Sequence, residues 1–420
     1  MGAPPGADEP APRRRRFLLG AFGDPGHAFP MIALGRALLR RGHDVSLQTW
    51  TRWSEHVRAE GIRFLPAPEY RVFPTGSEPL DFYEAVIQAT RDTLPAVREL
   101  EPEVVVADIL TLAPALAAEL AGVPLATLIP HVYPHAGEGF PVYSIGARMP
   151  RGRIGRRLWN VAQMPVAKGL ERGRRELNGT RTELGLPPLE HVHGGISREL
   201  ALVATLPQLE YPRSWPRWAH VVGPLMWEPP ATEVPIPPGE DPLVLVAPST
   251  AHDPELRLVR AALEGLAGLP VRVLATYNGR LPRRPLWVPE NATVVEWLSY
   301  SRTMPDCEVV VCHAGHGTLV RALTSGVPVL ACPSVGDMSE NAARLDWAGA
   351  GVRIPQRLLG PRSVRVGVER ILGDRSIAER SREMAAWSAH HDSGRAAAEL
   401  LESMPAPAAS PPASRTSTVT

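Results

Sequence analysis

The sequence predicts an α/β protein of two Rossmann-like halves, each a parallel sheet wrapped by helices, facing one another across a cleft. Short apolar runs alternate with helix-length amphipathic segments over residues 15–224 and again over 243–402, the mark of repeated β-α-β units. Between them, residues 225–242 are dense in Pro and Glu and read as an interdomain linker. Glycine-bearing turns follow several of the apolar runs. They fall at the carboxyl ends of strands, where open parallel sheets hold ligands.

Composition narrows the function classes. A chain of 420 residues is long enough for two cores. A net charge of +1 and a pI near 7.9 give no footprint for nucleic acid. Cys307, Cys312 and Cys332 are odd in number, lack C-x-x-C spacing and read as packing residues in a reduced cytoplasm. The Arg13–Arg16 run before Phe17 resembles an export signal, but Asp24 and Pro25 interrupt the apolar stretch too soon. No apolar stretch reaches the ~20 residues of a membrane span. Residues 1–14 and 403–420 read as disordered tails rich in Pro and Ala.

In the first half, residues 15–22 form a strand that opens into the loop Gly23 to His27. Met31, Leu34, Ala37 and Leu38 recur at helical spacing within 29–41, and Gly42 ends that helix. Strands follow at 45–50 and 62–65, flanking a short helix at 54–60 with Ser54 as its cap. Residues 70–80 read as loop, 82–100 as a helix bent at Pro95, 104–108 as a buried strand, 113–120 as an Ala/Leu-rich helix and 124–129 as a strand. A loop rich in Pro, Gly, His and Tyr covers 131–150. Residues 148–175 read as one basic amphipathic helix with Ile154, Leu158 and Val161 on its apolar stripe and a solvated opposite face. A strand at 201–205 follows, and 221–224 closes the half.

The second half opens with a strand at 243–247 leading to Pro248, Ser249 and Thr250, then a strand at 271–275. Its densest pattern is 308–354: a strand to Cys312, the turn His313-Ala-Gly-His-Gly-Thr318, and a helix at 318–325 stopped by Gly326. A strand at 327–332, a loop to Met338, a helix at 340–348 and a strand at 351–354 complete the unit, and 377–401 is helical. Glycines and unbonded N–H groups at a helix start suit a phosphate, to which His313 adds a hydrogen bond. In the first half, His27 on the first strand-to-helix loop and Asp108 at a strand end open on the same sheet edge. A neutral imidazole held by a carboxylate is a general base with its orienting partner.

The run HAGHGT, then GVPVLACP, then Asp337 and Asn341, resembles the donor-binding signature of family-one nucleotide-sugar glycosyltransferases of the GT-B fold, above all the bacterial macrolide-type natural-product enzymes. The resemblance covers about residues 15–402. It implies that His313, Gly315, Gly317 and Thr318 meet the diphosphate, that Asp337 meets sugar hydroxyls, that Ser249 and Thr250 form the donor-side loop, and that Trp297 and Leu298 receive the base. It also gives His27 the role of base and Asp108 that of its partner, in a displacement that inverts the anomeric carbon. The nucleoside-diphosphate sugar is then a co-substrate, with no separate cofactor. The chain has no Asp-x-Asp motif, and no metal is expected.

The family's usual Gln after the aspartate is Met338 here. A thioether suits a less hydroxylated sugar, such as a dTDP-linked deoxyhexose, ahead of UDP-glucose. The acceptor is expected to be a small hydrophobic secondary metabolite lined by Tyr70, His131, Tyr133, His135 and Tyr143. The expected setting is cytoplasmic and free of membrane contact, and a homodimer is compatible with it. A sugar-nucleotide epimerase, a non-enzymatic binder and transfer to a lipid are the competing readings. A dinucleotide oxidoreductase is disfavoured: Gly20, Gly23 and Gly26 are spaced G-x-x-G-x-x-G, and no acidic residue follows Gln48-Thr49-Trp50.

Overall fold

A computed structural model describes residues 13–68, 82–192, 194–231, 234–249, 253–280, 282–334 and 336–407. Both sheets are parallel throughout. The first joins β1 (Arg16–Gly20), β2 (Asp44–Thr49), β3 (Arg63–Pro66), β4 (Val104–Asp108), β5 (Leu125–Ile129), β6 (Leu200–Val203) and β7 (Ala219–Val221) in the order β3-β2-β1-β4-β5-β6-β7. The second joins β8 (Leu243–Ala247), β9 (Arg272–Thr276), β10 (Ala292–Val295), β11 (Val309–Cys312), β12 (Val329–Ala331) and β13 (Gly351–Arg353) in the order β10-β9-β8-β11-β12-β13. Each order reverses direction beside its first strand, between β1 and β4 and between β8 and β11. There the flanking loops diverge and leave a crevice. Strands such as β4, β8 and β11 are buried along their whole length. Helices cover both faces, which is why these strands read as unbroken Val/Leu runs rather than alternations.

Several element boundaries differ from the sequence reading, and two of the shifts matter for the site. The first helix is Pro25–Arg40, with Pro25 at its start, so His27 lies in the first helical turn rather than in the loop. Proline fixes φ and gives up an N–H that would be unbonded there anyway, which lets the helix begin early. The helices of the second half likewise begin at His316 and Asp337. Ser54 is the first residue of its helix and caps nothing. The basic segment is two helices, Arg153–Ala162 and Met164–Glu183, broken at Gln163 and carrying exposed Ile154, Leu158, Val161 and Met164. The helix Arg257–Leu266 and strand β7 went unrecognised in the sequence, whereas Gly326 takes the expected left-handed turn at φ 79°.

The terminal helices are Pro361–Gly373, Arg375–Ala389 and Ser393–Glu402. The last one returns to the first half, where Ala397, Ala398 and Leu401 join the core around Met31, Leu34 and Leu47. Arg15 donates to the carbonyls of Glu402 and Met404, both at 2.8 Å, and His43 Nε2 lies 2.7 Å from the Glu402 carboxylate. Met404, assigned to the disordered tail from sequence, is buried in that core. The connecting segment is pinned as well: Trp227 Nε1 donates to Glu60 at 2.6 Å, and Ser299 Oγ donates to Glu228 at 2.5 Å. Beneath the cleft the halves share buried contacts. Val132, Leu206 and Leu209 enter the second core, and Arg344 bonds Glu210 of the first half at 2.6 Å and Glu340 at 2.8 Å.

Candidate active site

The carboxyl edges of the two sheets border one cavity of 1270 Å³. On the first-half side, Asp108 ends β4 with its side chain 1% exposed. Its Oδ2 accepts the Phe22 N–H at 3.1 Å, and its Oδ1 accepts the Leu110 N–H at 3.2 Å. Oδ1 also lies 2.9 Å from His27 Nδ1. A carboxylate so placed accepts, so Nδ1 carries the proton. The other ring nitrogen, Nε2, keeps its lone pair, has no partner among the described residues and belongs to a ring that lines the cavity. Burial pulls the His27 pKa down, but the charge and hydrogen bond of Asp108, helped by Asp24 and Asp337, leave it above the ordinary histidine value. Gly23, just before this helix, must be glycine because a Cβ would collide with the Trp50 ring.

His131, His135 and Tyr143 also line the cavity. His131 stands beside His27, ring centroids 6.3 Å apart, and donates from Nδ1 to the Val132 carbonyl at 2.8 Å. Burial lowers its pKa, so it is neutral at pH 7. Tyr133 does not reach the cavity. It is buried against Trp215 and beneath Arg213, because its backbone N–H is drawn inward by Glu210 at 2.6 Å. Tyr70 lies outside the described residues. The basic segment contributes apolar Val166, Ala167 and Leu170 and polar Asn160 and Gln163 to the same wall.

On the opposite wall, β11 ends in His313 and the chain turns through Ala314, held in the left-handed region at φ 59°. That conformation costs a non-glycine residue about 1–2 kcal/mol and is stabilised here by the Asn341 amide, which donates to the Ala314 carbonyl at 3.0 Å. The turn delivers the helix His316–Thr324 with its amino end toward the cavity. A Cβ added at Gly315 or Gly317 would meet nothing within 4 Å, so open space lies over the unbonded N–H groups of that first turn. Thr318, Ser249, Trp297, Leu298, Asp337 and Met338 line the cavity too, while Thr250 lies outside the described residues.

His313 departs from expectation. Its Nδ1 accepts the Ser249 N–H at 2.9 Å, so Nε2 carries the proton, 3.4 Å from Asp253 Oδ2. Both nitrogens are therefore engaged within the protein, and the ring braces two loops rather than offering a donor to phosphate. Met338 is buried, and its sulfur receives the Ser334 hydroxyl at 3.1 Å. Asp253 and His316 were not singled out in the sequence. The repeated His in HAGHGT was the one available signal for His316, whereas Asp253 is separated from His313 by too many residues for any local pattern.

Known families match in both halves. The glycosyltransferase family 28 N-terminal domain matches residues 17–127, and the C-terminal domain of erythromycin biosynthesis protein CIII-like proteins matches residues 261–404. With one match in each half of a doubled parallel-sheet fold, the chain is a nucleotide-sugar-dependent glycosyltransferase of the GT-B class. Within that class it is similar to a 4'-demethylrebeccamycin synthase of Lentzea aerocolonigenes, 27% identical over 390 residues that cover 86% of this chain and 92% of the relative. The fold is shared with the glycosyltransferase of kitacinnamycin at a TM-score of 0.74, 21% identity and coverage of 93% of this chain and 99% of the other. A Streptomyces sp. SF2575 glycosyltransferase complexed with thymidine diphosphate superimposes with a TM-score of 0.63 at 21% identity, covering 93% of this chain and all (100%) of the other.

Proposed function

We propose that the enzyme moves a deoxyhexose from a dTDP-linked donor to a hydroxyl of a small hydrophobic secondary metabolite, with inversion at the anomeric carbon. The observation that carries this reading is the His27–Asp108 pair at 2.9 Å, facing across the cavity the open amino end of the His316–Thr324 helix. His27 Nε2 takes the proton of the acceptor hydroxyl as its oxygen bonds to the anomeric carbon. The bond from that carbon to the diphosphate oxygen breaks on the opposite face, and the electron pair leaves with the nucleoside diphosphate. Asp108 stabilises the imidazolium that forms. The N–H groups around Gly317 and Thr318 meet the charge that gathers on the leaving phosphate. Trp297 and Leu298 take the base, and Asp337 takes a sugar hydroxyl. These groups balance the reaction without a metal, so turnover should survive a chelator. Loss of turnover on chelation, restored by magnesium or manganese, would refute that part.

The acceptor class follows from the apolar wall of Val166, Ala167 and Leu170, and agrees with the natural product named for the Lentzea relative. The test is a mass-spectrometric screen of dTDP- and UDP-linked sugars against aromatic and macrolactone aglycones. Glycosylated aglycone of inverted configuration supports the reading. An epimerised donor, or transfer confined to lipid acceptors, would replace it.

A further inference from the structure

A further histidine stands at the junction of the two halves. His316 is 8% exposed and lines the cavity, yet neither ring nitrogen closes a hydrogen bond of good geometry, the Ala204 backbone and the Asn341 side chain offering it only loose contacts. A buried imidazole held only by loose contacts is poorly satisfied unless something outside the chain completes it. Its surroundings describe that missing group. The backbone of Ala204, just after β6, and the side chain of Asn341 are the polar groups nearest in effect on the ring, and Asn341 Oδ1 closes no bond of good geometry either. His131 lies within electrostatic reach of both His27 and His316. Burial, then His131, push the His316 pKa down to about 3, and the ring stays neutral with one N–H and one lone pair. A neutral ring suits a neutral partner with both a donor and an acceptor. The diphosphate has its own place over Gly315 and Gly317, where the backbone is open.

We propose that His316 is a specificity-determining residue that hydrogen-bonds a substrate hydroxyl at the transfer point, completing its loosely held ring when substrate binds. This rests on the sugar-transfer reading above. The hydroxyl belongs either to the transferring sugar or to the acceptor, and the test separates the two. His316→Leu removes both ring nitrogens and keeps an apolar group; His316→Gln restores a donor and an acceptor. Calorimetric titration of wild type and both variants uses dTDP and a dTDP-deoxyhexose, and transfer to the phenol umbelliferone is followed by fluorescence. In His316→Leu the affinity for dTDP is expected to stay as in wild type, and the melting temperature of the unliganded protein not to fall, since a poorly satisfied polar group is gone. If the sugar supplies the hydroxyl, the dTDP-deoxyhexose binds about 10-fold more weakly, the worth of one hydrogen bond. If the acceptor supplies it, donor affinity holds and transfer efficiency falls by about the same factor. In both cases His316→Gln recovers part of the loss. Donor affinity and transfer both unchanged in His316→Leu would overturn the proposal, as would a loss of dTDP affinity equal to that of the sugar nucleotide. A wild-type protein that binds neither dTDP nor its sugar would instead remove the sugar-transfer reading beneath it.

Discussion

Each sheet carries a histidine and an aspartate at the carboxyl edge, and the two pairs are used differently. In the first half, Asp108 takes Nδ1 of His27 and the other nitrogen is left facing the cavity. In the second half, Ser249 takes Nδ1 of His313 and Asp253 takes Nε2, so the ring is saturated. The same two residue types thus make a poised base on one wall and a brace on the other. What separates them is the count of ring nitrogens already bonded within the protein, and residue identity alone does not reveal it.

The largest expected effect comes from removing the open nitrogen. His27→Ala should lose at least ~10²-fold in kcat while nucleotide-sugar affinity, measured by calorimetry, is kept. Wild-type turnover in that variant would end the distinction between the pairs. The pH profile sharpens it next. The base must be deprotonated to act, and its pKa is raised, so the rate should climb with pH through a limb centred above 6.5. Asp108→Asn removes the charge that holds the pKa up, and the limb should move to lower pH as the plateau rate drops by about 10-fold or more. A limb that does not move would leave Asp108 with a purely structural part.

His313→Ala should act on the other substrate. The Ser249 N–H loses its acceptor and Asp253 its partner, a cost of about 1–3 kcal/mol that calorimetric unfolding would register. The Michaelis constant for donor should rise with kcat little changed; a fall in kcat as deep as that of His27→Ala would make the two histidines equivalent. The smallest effect is expected at Met338. Its sulfur is held by Ser334, so Met338→Gln should shift preference from deoxysugars toward UDP-glucose by a few-fold, about 1 kcal/mol. Competition between the two donors in one assay would measure it, and an unchanged ratio would move sugar selection to other residues.

The parallel strands and the His27–Asp108 pair were legible because their signals are local: apolar runs of strand length, and polar residues at the ends of those runs. What failed was of two kinds. Strand β7 is short and lies at an edge, with exposed His220 in its middle, so it carries no apolar run. The helix Arg257–Leu266 does carry helical spacing, in Leu258, Ala262, Leu263 and Leu266, and was hidden by the loop-like residues before it. The engagement of His313, the inward turn of Tyr133 and the loosely held ring of His316 depend on residues distant in sequence, and no window of sequence contains both members of such a pair.

The chain passes between the halves by the Pro-rich connection and again before the last helix, and the two passages touch. His391 Nε2 donates to the Val222 carbonyl at 2.9 Å, and Gly223, at φ 88°, lies against the side chains of His391 and Ser393. Two adjacent tethers define a line, as the knuckles of a door define a pin. Sliding and twisting of one half over the other would stretch one tether, whereas rotation about the line through both stretches neither. The cavity should therefore narrow by one angular motion, with the catalytic edges travelling farthest and the tethers hardly at all. The arrangement also decides what a C-terminal nick would do. Severing the chain before Ser393 would take Ala397, Ala398 and Leu401 out of the first core and leave the second, from which that helix departs, with its own packing intact.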